Sequence, residues 1–226
     1  MIYDFRADKV DRSFRHFDWT PVSSKRMDML RSLRDTCKDC VMCSLGRSEH
    51  TARGRSFDPH VFSSMNLSRY MVVGQNPGFN ECLQDVPFVG DAGENFNKEI
   101  AKHGLNRKDF YITNICKCHT ENNRQPDTEE IKRCSAFFQM ELYILMPKFI
   151  ITLGAISFGH FCPNEIYAKA LGKMTHSALV DKNVFAIYHP SPRNLAVEER
   201  KTKFERQIEL LCKMIKFFKQ KEQDGN

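Results

Sequence analysis

Four short apolar runs, each of strand length and each followed by a polar turn, constrain this chain more than any other feature. They are YMVV (70–73), FYIT (110–113), KFIITL (148–153) and VFAIY (184–188). The segments between them carry helical spacing, which predicts helices over 93–103, 127–146 and 154–161, with a last helix over about 196–220. Residues 25–36 form a further amphipathic candidate, because Met27, Leu30 and Leu33 recur every three residues and Met29 lies four before Leu33. Asp127 opens the long helix with Asp-Thr-Glu-Glu, an N-cap and an acidic first turn. Strands joined through helices need crossover connections, which make them parallel and cover both sheet faces. The expectation is an α/β fold: three α/β/α layers around a central, mostly parallel four-stranded sheet. The domain is expected over 25–221, after an N-terminal extension (1–24) and before a disordered tail (222–226).

The 226 residues suffice for one domain with a sizeable core. The longest apolar run, near 149–153, is far shorter than a membrane span. The opening MIYDFRADKVDRSF is charged throughout and has no apolar core of a signal peptide, so the chain is expected to stay in a reducing compartment and not to be secreted. Its nine cysteines are then thiols or metal ligands rather than disulfides. A net charge of +6 permits a polyanionic partner without requiring one.

In a parallel sheet, the loops at the carboxyl ends of the strands form the ligand crevice. Here they are 74–90, 114–124, 154–159 and 189–194, and three of the four are rich in specific polar residues. In VVGQNPGFNE (72–81), Gly74 breaks the strand and Gln75, Asn76, Pro77 and Gly78 follow at once, with no lysine to grip a triphosphate. The plain alternative for Asn76 is an Asx-turn before Pro77. CKDCVMC supplies Cys37, Cys40 and Cys43, and Cys116, Cys118 and Cys134 lie farther on. C-x-x-C is a chelating bite, and the spacing alone leaves both zinc and iron–sulfur open. Cys82, Cys162 and Cys212 read as small core residues.

At this point the chain resembles a known family, the iron–sulfur (family 4) uracil-DNA glycosylases, over about residues 40–194. The resemblance rests on CVMCSLGR, VPFVGDAG, FYITNICKC, NRQPDTEEIKRC, PKFIITLG and YHPSPRN, in that order. It implies a uracil-DNA glycosylase-like fold and a structural [4Fe-4S] cluster. The family's second ligand pair stands sixteen positions apart, as Cys118 and Cys134 do, so the implied ligands are Cys40, Cys43, Cys118 and Cys134, with Cys37 and Cys116 as bystanders. Two blocks depart from that family. Gly74-Gln75-Asn76-Pro77-Gly78 and His-Pro-Ser-Pro-Arg-Asn are similar to the single-strand-selective monofunctional uracil-DNA glycosylases; the mismatch-specific uracil and thymine glycosylases also carry Asn at the position of Asn76.

The resemblance implies hydrolysis of the N-glycosidic bond of uracil in DNA, starting base excision repair, by a monomer located with the cell's DNA, cytoplasmic or in another intracellular DNA compartment. Asn76 would hold the attacking water, and the backbone of Gln75 would meet the base. A neutral His189 would stabilise the departing uracil anion. Asn114, whose amide both donates and accepts, would read O4 and N3–H, with Phe88 stacking on the flipped base and Gly74 and Gly78 lining the pocket. Ser191 and Arg193, stiffened by Pro190, would engage the DNA backbone and the vacated duplex. Arg124, with Arg47, Arg53, Arg55 and Asn123, would track phosphates. Because Gly78 stands where the strictest uracil-specific branch has a blocking Tyr, 5-hydroxymethyluracil is expected to be removed and thymine to be cut poorly. The opposing expectation is that Phe79 or a residue of 81–86 folds over the base's C5. A catalytically weak or covalent binder of uracil-containing or modified DNA is the alternative function. The segment 119–124 holds His119 but lacks the basic insertion of the covalent branch.

Overall fold

The computed structural model describes residues 23–47, 50–52 and 55–224. Most of the N-terminal extension (1–22) therefore lies outside the described residues, as do Arg53 and the side chain of Arg55.

The chain opens with helix α1 (Ser23–Lys38) and the single turn α2 (Ser44–Arg47). A small antiparallel hairpin follows, β1 (His50–Ala52) with β2 (Arg55–Phe57). The main sheet begins with β3 (Tyr70–Gly74). It continues through the short helix α3 (Phe79–Gln84), α4 (Asp91–Lys102), β4 (Tyr111–Asn114) and the long helix α5 (Thr128–Leu145). Then come β5 (Phe149–Leu153), α6 (Ala155–Phe161), α7 (Tyr167–Ala170), β6 (Met174–Ser177) and β7 (Lys182–Ile187). α8 (Pro192–Leu195) and α9 (Glu198–Asp224) end the described chain.

The sheet has five strands in the order β4-β3-β5-β7-β6. The four expected strands are all present and parallel. The expected four-stranded sheet is thus extended by β6, which pairs antiparallel with β7 at one edge. Its sequence, MTHS, buries one residue, Ser177, so no apolar run announces it. α9 runs on through Asp224, past the point where a disordered tail was expected. Phe218 packs against Phe149, and Glu222 pairs with Lys148 at 2.6 Å, which holds the last turns to the sheet.

Alternation along the strands builds the layers. Met71, Val73, Tyr111, Ile150, Val184 and Ala186 face α1, α5 and α6. Tyr70, Val72, Ile112, Phe149, Ile151 and Phe185 face α4 and α9. β3 leads on to β4 on one side, while β5 lies on its other side, so the chain changes direction at β3. Such a switch point opens a crevice at the strands' carboxyl ends.

Candidate active site and cysteine cage

That crevice is a cavity of about 870 Å³, lined among others by Gln75, Asn76, Gly78, Phe88, Asn114 and His189. Ser191 and Arg193 also line it.

Asn114 ends β4 and stands level with Gly74 in the parallel register. Its side chain crosses that glycine: a Cβ on Gly74 would fall 2.4 Å from Asn114 Oδ1. Gly74 is therefore needed for close approach and lies beneath Asn114 rather than on the cavity wall. Asn114 is 2% exposed, and among the described residues nothing hydrogen-bonds its side-chain amide. Both its N–H and its C=O are available to a ligand.

Phe88 adopts a left-handed backbone, φ +59, unusual for a bulky residue. Arg107 holds it there by donating to the carbonyls of Phe88 (2.8 Å) and Pro87. Gly93 completes the hold, since a Cβ there would meet Phe88 O at 1.9 Å. The Phe88 ring stands edge-on to His189, 6.0 Å between centroids at 72°. His189 follows β7, and its loop is tied at two points: Asn194 Nδ2 donates to His189 O and Asn95 Nδ2 to Pro190 O, both at 3.0 Å. Burial lowers the His189 pKa from its ordinary 6.5, against a smaller opposing pull from Glu81, so the ring is neutral at pH 7.

Asn76 donates through Nδ2 to Pro77 O (3.2 Å) and Thr120 Oγ1 (3.1 Å), which leaves its oxygen for the cavity. Gln75 lines the cavity, and its carbonyl accepts from Cys116 N at 3.0 Å.

Glu81 opens the segment 81–86 that was expected as the opposing cover over C5, without being singled out within it. Its Oε1 accepts from Val89 N (2.9 Å) and Gly90 N (2.8 Å), and its Oε2 lies 2.6 Å from where a Cβ on Gly78 would stand. The space that Gly78 opens is thus filled by an anchored carboxylate. Phe79 turns the other way, edge-on to Phe57 at 5.2 Å. The only signal available in sequence was the interval Gly78-x-x-Glu81 in a helical first turn.

Arg124 lies exposed at the start of α5. Its guanidinium grips Glu130 with two bonds, 2.5 and 2.8 Å, and it does not line the cavity. Glu130, 3% exposed, belongs to the capping box of α5, so Arg124 clamps a helix start while its side chain stays 45% exposed. Pro190 is buried and off the cavity wall, Arg47 bonds Val41 O at 2.6 Å, and Asn123 does line the cavity.

A second, small cavity brings together Cys40, Cys43, Cys118 and Cys134, with Cys37 and Cys116 beside them. Burial, then the neighbouring thiols led by Cys134, pushes the Cys118 thiol far up. A hydrogen bond from Cys116, then the charge of Lys117, draws the Cys134 thiol down. Lys117 N also donates to Cys134 Sγ at 3.1 Å. Among the described residues no three His, Cys, Asp or Glu converge tightly enough for a single ion. Four thiols in a small cavity that His60, Lys117, Arg133 and Phe137 also line, with an amide donor to sulfur, suit a cluster that takes one thiolate at each iron.

Between cage and cavity lies a buried ion pair. Lys117 Nζ meets Glu141 Oε2 at 2.6 Å and donates to Asn114 O at 2.9 Å. Tyr111 OH donates to the same carboxylate at 2.7 Å.

An unspent amide, a neutral imidazole and an aromatic edge thus meet in one cavity at the switch point of the sheet, a lining that offers both a donor and an acceptor. The family model "Uracil DNA glycosylase superfamily" matches residues 62–212. A Type-4 uracil-DNA glycosylase of Sulfurisphaera tokodaii is 34% identical over 173 residues, covering 73% of this chain and 76% of the relative. One from Archaeoglobus fulgidus is 35% identical, covering 72% and 83%. A Type-5 uracil-DNA glycosylase of Pyrobaculum aerophilum is 32% identical over a shorter stretch, covering 57% and 63%. The chain belongs to the uracil-DNA glycosylase superfamily, as its motifs led one to expect.

Proposed function

We propose that this protein hydrolyses the N-glycosidic bond of uracil in DNA, acting as a monofunctional glycosylase that opens base excision repair. The observation that carries this reading is Asn114: a nearly sealed amide, unspent in both directions, beside Phe88 and His189 in one cavity. Its N–H meets uracil O4 and its C=O accepts from N3–H, a pattern that cytosine reverses. Phe88 stacks on the base, and the Gln75 backbone meets the base from the motif side.

Asn76 Oδ1 holds the water that attacks C1′ of the sugar. The bond from C1′ to N1 breaks and its electrons leave with the base, whose O2 accepts a hydrogen bond from the neutral His189; the water oxygen bonds C1′, and its surplus proton passes to solvent and finally to the released uracil anion. A cationic sugar needs little activation of its nucleophile, so a carboxamide suffices. No lysine lines the cavity among the described residues, so no Schiff base with the abasic sugar follows. Ser191 holds a phosphate and Arg193 enters the space the base leaves. The protein works on DNA as a monomer.

Cys40, Cys43, Cys118 and Cys134 hold a [4Fe-4S] cluster in this reading. Bound there, it ties the segment after α1 to β4 and α5, a staple with no part in the hydrolysis. In this reading the anchored Glu81 takes the room beside C5, so uracil is preferred and 5-hydroxymethyluracil is cleaved slowly.

Incubation with uracil-containing single-stranded DNA, then alkali, tests the activity. Strand scission is expected. A protein–DNA band resistant to denaturation would mean covalent capture, and retarded but uncut DNA would mean a binding module; either result overturns the proposal.

A further inference from the structure

We infer that Thr120 is a positioning residue that decides which end of the Asn76 carboxamide faces the cavity. The inference rests on the reading of Asn76 as the group that holds the water. The two ends of a carboxamide have nearly the same shape, so a half-turn exchanges donor for acceptor at little steric cost. Something must break that symmetry if the oxygen is to face the water.

Thr120 does so through its single hydroxyl hydrogen. That hydrogen is spent on Arg124 O, 2.5 Å away. Toward Asn76 the hydroxyl therefore shows only lone pairs, and it can pair at 3.1 Å with Nδ2 but not with Oδ1. Pro77 O, at 3.2 Å, is the second acceptor on that side and cannot donate. The opposite rotamer would set the amide oxygen against two acceptors. Thr120 is fully buried, so water does not replace the missing donor.

The rest of the turn keeps the acceptor of the Thr120 proton in place. Asn122 and Asn123 take left-handed backbones, φ 53 and 54, which Asn tolerates, and they carry the chain round to Arg124. The Arg124 guanidinium is in turn locked to Glu130. A relay thus runs from the start of α5 through Arg124 and Thr120 to Asn76. His119 Nδ1 donates to Pro77 O at 3.0 Å and steadies the other acceptor.

The experiment measures single-turnover cleavage of uracil-containing single-stranded DNA by Thr120→Val, Thr120→Ser, Asn76→Ala and the double variant Asn76→Ala/Thr120→Val. Valine keeps the shape and loses the acceptor, so the rate should fall roughly tenfold, the worth of about one hydrogen bond. Binding to DNA that carries an abasic-site analogue should be unchanged. Serine should restore most of the rate. In the Asn76→Ala background, valine should cost nothing further, because its effect passes through that amide. If valine is not accommodated, Thr120→Ala removes the same acceptor and is judged by the same criteria. A Thr120→Val rate within threefold of wild type, or an equal loss with and without Asn76, overturns the inference while leaving Asn76 in its role. A near-wild-type rate for Asn76→Ala itself overturns the role of Asn76, and with it the inference.

Discussion

Replacing Glu141 by leucine removes the only carboxylate facing Lys117 among the described residues. The Lys117 and Glu141 side chains are 1% and 0% exposed, and their charged atoms lie 2.6 Å apart. Burial pushes the Glu141 carboxyl up and outweighs the downward pull of Lys117, so each group depends on the other as its buried partner. In Glu141→Leu the buried ammonium keeps its bonds to Thr113 Oγ1 and Asn114 O but loses its counter-charge, with the Phe62 and Phe138 ring centres 5.4 and 5.7 Å away. Breaking one side of such a pair costs about 3–5 kcal/mol, against a total stability of about 5–15 kcal/mol. For a chain of this size that is a fall in melting midpoint of roughly 6–20 °C. The double variant Lys117→Met/Glu141→Leu carries no stranded charge and should be more stable than either single variant, with a coupling of at least ~2 kcal/mol. Anaerobic urea melts at neutral pH measure this, with cluster content checked in each sample. Uracil cleavage should also slow in Glu141→Leu, because Lys117 braces the Asn114 carbonyl. A Glu141→Leu protein within about 1 kcal/mol of wild type, or strictly additive single variants, would refute the reasoning.

Asn76→Ala and His189→Ala should each lose roughly two to four orders of magnitude in single-turnover rate while still binding abasic product; a fast Asn76→Ala enzyme would move the water-holding role to Gln75. Because burial lowers the His189 pKa below 6.5, activity that needs the neutral ring should persist as pH falls past 6.5 and drop only lower; stability from this group is full above 6.5 and is lost as pH falls, since the unfolded chain binds the proton first. A rate that halves at pH 6.5 or above would count against a buried neutral imidazole. Asn114→Asp should shift preference toward cytosine, slowly, since a carboxylate opposes formation of a base anion; unchanged uracil specificity in a matched oligonucleotide panel would assign base reading elsewhere. Glu81→Ala should raise the 5-hydroxymethyluracil-to-uracil rate ratio at least about tenfold by emptying the space beside C5, although both rates fall as Val89 and Gly90 lose their cap; an unchanged ratio would remove Glu81 from specificity.

Four parallel strands, the helices between them and the polar loops at their carboxyl ends were legible in the sequence because each is written locally. Apolar runs of strand length, helical spacing and the breaks at Gly74 and Gly154 need no knowledge of distant residues. Since a parallel sheet gathers its loops at one end, the cavity containing Asn76, Phe88, Asn114 and His189 followed from that local pattern. Partner choice did not. β6 exists only because β7 offers an edge to a polar tetrapeptide. Arg124 and Glu130 stand six positions apart, and a loop arginine looks the same in sequence whether it meets DNA or a buried carboxylate. Glu81 closes over Gly78 only once α3 turns it back toward the loop at Val89 and Gly90. Thr120 lies 44 positions from Asn76, and Lys117 lies 24 from Glu141. Backbone periodicity is a property of neighbours along the chain, whereas the orientation of an amide or the fate of a charge depends on which groups the fold packs around it.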